Sequence, residues 1–231
     1  MKTFTSAILM FAVAISNAFA TAQYPDKVVY EGETYSLDTN PMEPYFAKHP
    51  DKKPKRLVMS TALWRGYVAT FEFKTTALVL KDIEIQIWEE TEDGKRDISW
   101  KSVKDDIVRK DEVLLVDWFT GILVLPHGKL LNNVHMGYGS TYSDYILLAV
   151  KQGKFTDKIT YDHVRYEKFK ERQFQAYKKT NAYKKQVAKL RKNGESEEFL
   201  DSFLRSFVVN YTSEFLDKEE SSNKSDAGDG K

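Results

Sequence analysis

Residues 160–192 contain neither Gly nor Pro, whereas the segment before them is punctuated by both. The stretch is rich in Lys, Arg, Glu and Gln, all tolerant of helix. It is closed by Asn193 and Gly194, a pair suited to a helix C-terminus. This predicts one helix of about 50 Å at 1.5 Å per residue. A second helix is predicted after it, because Phe199, Phe203, Phe207, Tyr211 and Phe215 recur every four residues beside Leu200, Leu204 and Val208. That spacing draws a broad apolar stripe along one helix face. The link between the two is only a few residues, so they should form an antiparallel helical hairpin over residues 160–216. Residues 217–231 are small and polar, the composition of a disordered tail.

Residues 23–152 read differently. Val28 to Tyr30 and Thr34 to Leu37 flank Glu31, Gly32 and Glu33, the pattern of a hairpin. Asn40 and Pro41 suit the start of a short helix. Strands are predicted at 63–73 and 78–88, the latter containing the alternation Ile83, Glu84, Ile85, Gln86, Ile87 that leaves one face in a core and one in water. Asp93 and Gly94 mark a tight turn before a strand at 98–100. Further strands are predicted at 113–116, 118–125 and 145–150. The expected fold is thus α+β: a mostly antiparallel β-sheet, as a sandwich or partial barrel, followed by a C-terminal α-helical hairpin.

The N-terminus constrains location. Lys2, the apolar run of residues 7–15, the polar pair Ser16 and Asn17, and then Ala18, Phe19 and Ala20 follow the order of a cleavable export signal over residues 1–20. The run is too short to span a bilayer. No second segment is long and apolar enough to span either. The expected location is therefore periplasmic or secreted. The chain has no cysteine. It thus offers no disulfide framework and no thiol for a lipoprotein anchor, a composition that suits a bacterial periplasm.

Lys2 is the only charge in the signal, so the remaining 211 residues carry 34 basic and 34 acidic groups. A neutral chain gives no electrostatic footprint for nucleic acid. The balance is local: residues 151–192 hold 14 Lys and Arg against 4 Asp and Glu, and residues 193–220 hold 2 against 8. The basic helix interleaves Lys with Tyr166, Phe169, Phe174, Tyr177 and Tyr183. It could meet an anionic surface. Alternatively its aromatics pack on the acidic second helix while its lysines stay solvated or pair with Glu195, Glu197 and Glu198.

No catalytic or cofactor motif stands out, and no cofactor is expected. His127 and His135 lie eight positions apart, without a zinc-protease spacing; a metal would need them plus Asp117 or Asp144. The neighbouring Gly137, Tyr138, Gly139, Ser140 and Thr141 form neither a nucleophile elbow nor a phosphate loop. Glu72, within an apolar strand, reads either as solvent-facing or as a buried acid. Trp118 and Phe119 with His127, His135 and Tyr138 make the best candidate ligand patch, since ligand pockets are lined by aromatics with a few polar groups among them. Core packing is the competing reading for the same aromatics.

Residues 60–73, STALWRGYVATFEF, and residues 117–142, DWFTGILVLPHGKLLNNVHMGYGSTY, resemble segments of uncharacterised bacterial exported proteins. That resemblance implies no activity and transfers no site residue. The residues point first to an exported, non-catalytic binding or accessory protein, with an envelope or extracellular protein or an anionic surface as partner. Two alternatives stand beside it: an exported metal-assisted hydrolase, and a peripheral binder of anionic envelope surfaces through the basic helix.

Overall fold

The computed structural model describes residues 22–134, 138–192, 194 and 196–216. The expected signal (1–20), the expected tail (217–231), His135, Asn193 and Glu195 lie outside the described residues.

The first hairpin joins β1 (Asp26–Tyr30) to β2 (Glu33–Leu37). Its turn places Glu31 and Gly32 at φ 51° and 85°, the double positive φ that matches strand twist in a two-residue hairpin. Helix α1 (Glu43–Lys48) comes next. It starts after Met42 rather than at Pro41, and its Phe46 is buried. Then β3 (Val68–Lys74) pairs with β1 in parallel and with β4 (Ala77–Glu90) in antiparallel. The predicted strand at 63–73 is therefore shorter: Leu63 lies in a 3-10 turn and Gly66 takes φ 86°. Strand β5 (Arg96–Ser102) pairs the far half of β4. It leads into the single-turn helix α2 (Lys104–Ile107). Residues 113–116 form no strand; only Leu115 makes an isolated bridge, to Val79.

Strands β6 (Gly121–Asn132), β7 (Thr141–Lys151) and β8 (Lys154–Asp162) make an antiparallel meander. The β7–β8 turn needs its glycine. Gly153 sits at φ 71°, and a Cβ there would lie 2.7 Å from the Val116 carbonyl oxygen. The full order is β2-β1-β3-β4-β8-β7-β6, with β5 attached to β4. The Asp38 amide, just after β2, donates to the Val124 carbonyl on β6 at 3.2 Å, so the two ends of this path meet.

Beyond β8 the described chain is helical: α3 (His163–Lys178), α4 (Asn181–Arg191), α5 (Glu197–Ser206) and α6 (Val208–Tyr211). The first three are capped at their N-termini by side chains. Asp162 accepts from the Arg165 amide, Thr180 from Tyr183 and Ser196 from Phe199. Buried Gln173 ties the end of the described chain to α3. Its Nε2 donates to Thr212 Oγ1 (2.9 Å) and the Glu214 carbonyl (2.8 Å), and its Oε1 accepts from the Leu216 amide (2.9 Å).

Two expectations are corrected. The expected mostly antiparallel sandwich or partial barrel is corrected to one large mixed eight-stranded sheet of an α+β molecule, in which β1 and β3 run parallel and the other pairs antiparallel. The C-terminal part is not a two-helix hairpin. Strand β8 occupies residues 154–162, and the helical region after it is broken at Thr180 and again at Phe207. Among the described residues no helix is long and apolar enough to cross a membrane.

The sheet is buried on both sides where β6 and β7 run. Ile122, Val124, Tyr145, Leu147 and Ala149 face the helices, against Phe169, Phe174, Tyr177 and Leu204. Leu123, Leu125, Ile146, Leu148 and Val150 face a second core with Phe46, Tyr67, Phe71 and Leu80. Period-two alternation assigns each neighbour to the opposite core. That accounts for the wholly apolar run at 145–150.

Candidate functional site

The candidate residues separate into three neighbourhoods. Trp118 donates from Nε1 to the Pro41 carbonyl at 2.8 Å and lies on the Tyr45 ring, centroids 4.5 Å apart. Phe119 packs against the same core and over Gly121. His127 sits opposite Asp144 in the β6–β7 ladder, with the Tyr35 ring 5.9 Å away. Tyr138 belongs to a third place. Glu72 is half-buried beside Lys74 and Lys81, at 3.9 and 3.7 Å. Among the described residues no group of three or more His, Asp or Glu is arranged to hold a metal ion.

Tyr138 leads to the polar heart of the fold. Its hydroxyl accepts from Arg65 and donates to Asn40 Oδ1 at 2.8 Å. Arg65 is buried, and its other terminal nitrogen donates to Asp26 Oδ1 (3.2 Å) and to the Tyr24 carbonyl (2.9 Å). Asp26 is fully buried and also accepts from the Ala69 amide at 2.9 Å. Burial pushes the Asp26 carboxyl up to about 6, against the pull of Arg65 and that amide. Tyr67 extends the network: its hydroxyl donates to Glu43 Oε1 at 2.7 Å, and Lys53 approaches the same carboxylate at 3.3 Å. A buried ion pair costs desolvation that its Coulomb attraction only partly returns. Its structural effect is to lock β1, β3 and residues 40 and 138 in one arrangement.

The ring of Tyr138 lines a cleft of about 400 Å³ between the sheet and the helices. Val124 and Tyr145 of the sheet line it with Tyr166, Glu167 and Lys170 of α3, and Asp38, Ser140, Thr141, Phe207 and Asn210 line it too. The Tyr145 and Tyr166 rings stack at 4.1 Å. Lys170 is spoken for by Glu167 at 2.8 Å and lies 5.1 Å from the Tyr166 centroid. Asp38 is half-buried, and its carboxylate makes no hydrogen bond to another described residue. Burial pushes it up to about 7, with Lys170 pulling the other way. Burial likewise raises Tyr138, to about 12, so its hydroxyl keeps its proton at any ordinary pH.

Asp38, Asn40 and Arg65 carried no motif, and Arg65 meets an acid 39 positions away instead of nearby Glu72. The one sequence signal was a lone Arg in an otherwise apolar run, LWRGYV. A second cleft, of about 370 Å³, lies beside residues 51–57 and the β4–β5 ribbon; Leu57, Ile85, Val103 and Ile107 line it together with four lysines, Asp51 and Asp106. The helical aromatics Tyr166, Phe169, Phe174 and Tyr177 are buried. Ion pairs Lys178–Asp201 and Arg191–Glu197 join the helices across their opposed charges, and Arg205–Glu171 joins them in the reverse sense. No protein-family model, curated protein or solved structure matches the chain.

Proposed function

We propose that this chain is an exported binding protein, periplasmic or secreted, that holds a small ligand rich in O–H or N–H donors in the Asp38 cleft. The N-terminal segment supports export. One observation carries the binding reading: a half-buried carboxylate without a hydrogen bond to another described residue stands in the wall of a tyrosine-lined cleft. Such a group is short of donors, and a ligand that supplies them gains charge-assisted hydrogen bonds. Stacked tyrosine rings offer an apolar face beside it, the mixture common in small-molecule sites. Because Asp38 loses its proton near pH 7, the ligand should bind more weakly as pH falls below that value.

A thermal-shift and NMR titration against monosaccharides, polyols and small polyamines tests this. The expected ligand raises Tm, moves the resonances of Tyr145, Tyr166 and Asn210, and loses about tenfold in affinity in Asp38→Asn, the loss of one charge-assisted hydrogen bond. A panel without a hit at millimolar concentration sinks the reading. So does a hit that Asp38→Asn leaves unchanged.

A further inference from the structure

The β4–β5 ribbon carries a surface that fits a second copy of this chain. Strand β5 pairs β4 on one side, and no described strand pairs its outer side. The hydrogen-bonding phase of that outer side can be read from its ends. Thr91 donates to the Lys95 carbonyl and Val103 to the Ile83 carbonyl, so the odd-numbered residues of β5 are the ones bonded to β4. Antiparallel pairs alternate, which turns the backbone groups of Arg96, Ile98, Trp100 and Ser102 outward. Consistent with this, the Ile98 amide uses the neighbouring Asp97 side chain as acceptor, at 2.7 Å.

The sequence of β5, RDISWKS, is complementary to itself about Ser99. Two copies laid antiparallel on a two-fold axis through Ser99 bring Ile98 opposite Trp100 of the second copy, and Arg96 opposite Ser102, with outward amides meeting outward carbonyls. The same register sets Asp97 opposite Lys101 of the second copy, twice per interface. Asp97 and Lys101 are both exposed and form no ion pair with another described residue. Sliding the register by one hydrogen-bonded step in one direction sets Lys95 against Lys101, and in the other sets Asp97 against Val103. Only the Ser99-centred pairing satisfies charge, apolar and backbone groups together. The apolar face is ready: Trp88, Ile98 and Trp100 are 55 %, 42 % and 40 % exposed, and Trp88 lies directly opposite Ile98. Open edges of this kind are templates for pairing, which proteins normally blunt.

We infer that the chain forms a two-fold dimer by antiparallel pairing of β5 with β5, centred on Ser99, in which Asp97 of each copy meets Lys101 of the other. The contact is isologous and closes on itself, so it yields a dimer and no fibre. It is independent of the cleft.

The test is sedimentation velocity on protein expressed from the full-length gene, over micromolar to sub-millimolar concentrations. Wild type is expected to be dimeric. Asp97→Lys or Lys101→Asp sets like charges against each other twice per interface, and each should raise the dimer dissociation constant by about tenfold to a hundredfold. The double exchange Asp97→Lys with Lys101→Asp should restore it. Both positions are exposed, so far-UV circular dichroism should be unchanged in every variant. A monomeric wild type overturns the inference. Single exchanges that stay fully dimeric overturn it too, and so does a double exchange as weak as either single one.

Discussion

Asp38 shows how one residue can tie stability to pH. Unfolded, its carboxyl titrates near the usual value for Asp, about 4. Folded, burial holds it at about 7. Between those values the folded chain keeps a proton that the unfolded chain releases. Stability from this group is therefore fully present below about pH 4 and is lost as pH rises through 7. The groups facing it are Tyr145, Tyr166, Glu167 and Lys170, and only Lys170 opposes the shift. Asp26 adds the same sign over a narrower window, up to about 6. Denaturant unfolding at pH 4.5 and pH 8 should show wild type losing about 2–3 kcal/mol more than Asp38→Asn over that interval. Equal losses in the two proteins would mean that Asp38 is not held protonated by the fold. None of this was legible in the sequence. Asp38 comes just after an ordinary strand, and the residues gathered around it, Val124 of β6 and Tyr166 and Lys170 of α3, lie far later in the chain.

At the scale of elements, the sequence was readable where local chemistry decides. The Glu31-Gly32 and Asp93-Gly94 turns hold, and the alternation of β4 holds through Ile83 and Ile85 but not at Gln86, which is buried on the face expected in water. It misled where composition overrode period. Residues 154–162 are rich in Lys and Asp, yet Phe155, Ile159 and Tyr161 share one parity and the segment forms β8. The long basic helix is two helices for a similar reason. Thr180 leaves the helix at ψ 156° and its Oγ1 accepts from the Tyr183 amide at 3.1 Å, capping α4. Without Gly or Pro, only that cap type marked the break. Thr180→Ala should cost about 1 kcal/mol. Amide exchange should then rise through the first turn of α4 while α3 stays protected. Unchanged exchange at residues 181–184 would show that packing alone sets the break.

Across the whole molecule, the opposed charges of residues 151–192 and 193–220 are used in part internally, as the pairs Lys178–Asp201 and Arg191–Glu197 show. Exposed pairs of this kind contribute little each. The helices are held by their aromatic faces on β6 and β7. The four-residue stripe is only partly that face: Phe199 and Phe207 are exposed, and the core takes Leu200, Leu204 and Val208 with Phe169, Phe174 and Tyr177 of α3. The destination of these side chains was not legible, because a strand apolar on every residue gives no sign of which partner each side chain meets.

The double-faced β7 has a consequence for mutational tolerance. Leu147 and Leu148 are bonded neighbours, yet they belong to different cores. Leu147→Ala and Leu148→Ala should each cost about 2–5 kcal/mol. Paired with Leu204→Ala, from the helical side, the first should deviate from additivity and the second should add simply, since coupling tracks shared contacts. Exhaustive substitution over residues 145–150 should accordingly reveal epistasis sorted by parity: even positions answering to the core of Phe46, Tyr67, Phe71 and Leu80, odd positions to that of Phe169, Phe174, Tyr177 and Leu204. Equal coupling of Leu147 and Leu148 to Leu204 would contradict that division. On that division a single strand carries two interleaved messages, each read by a different core.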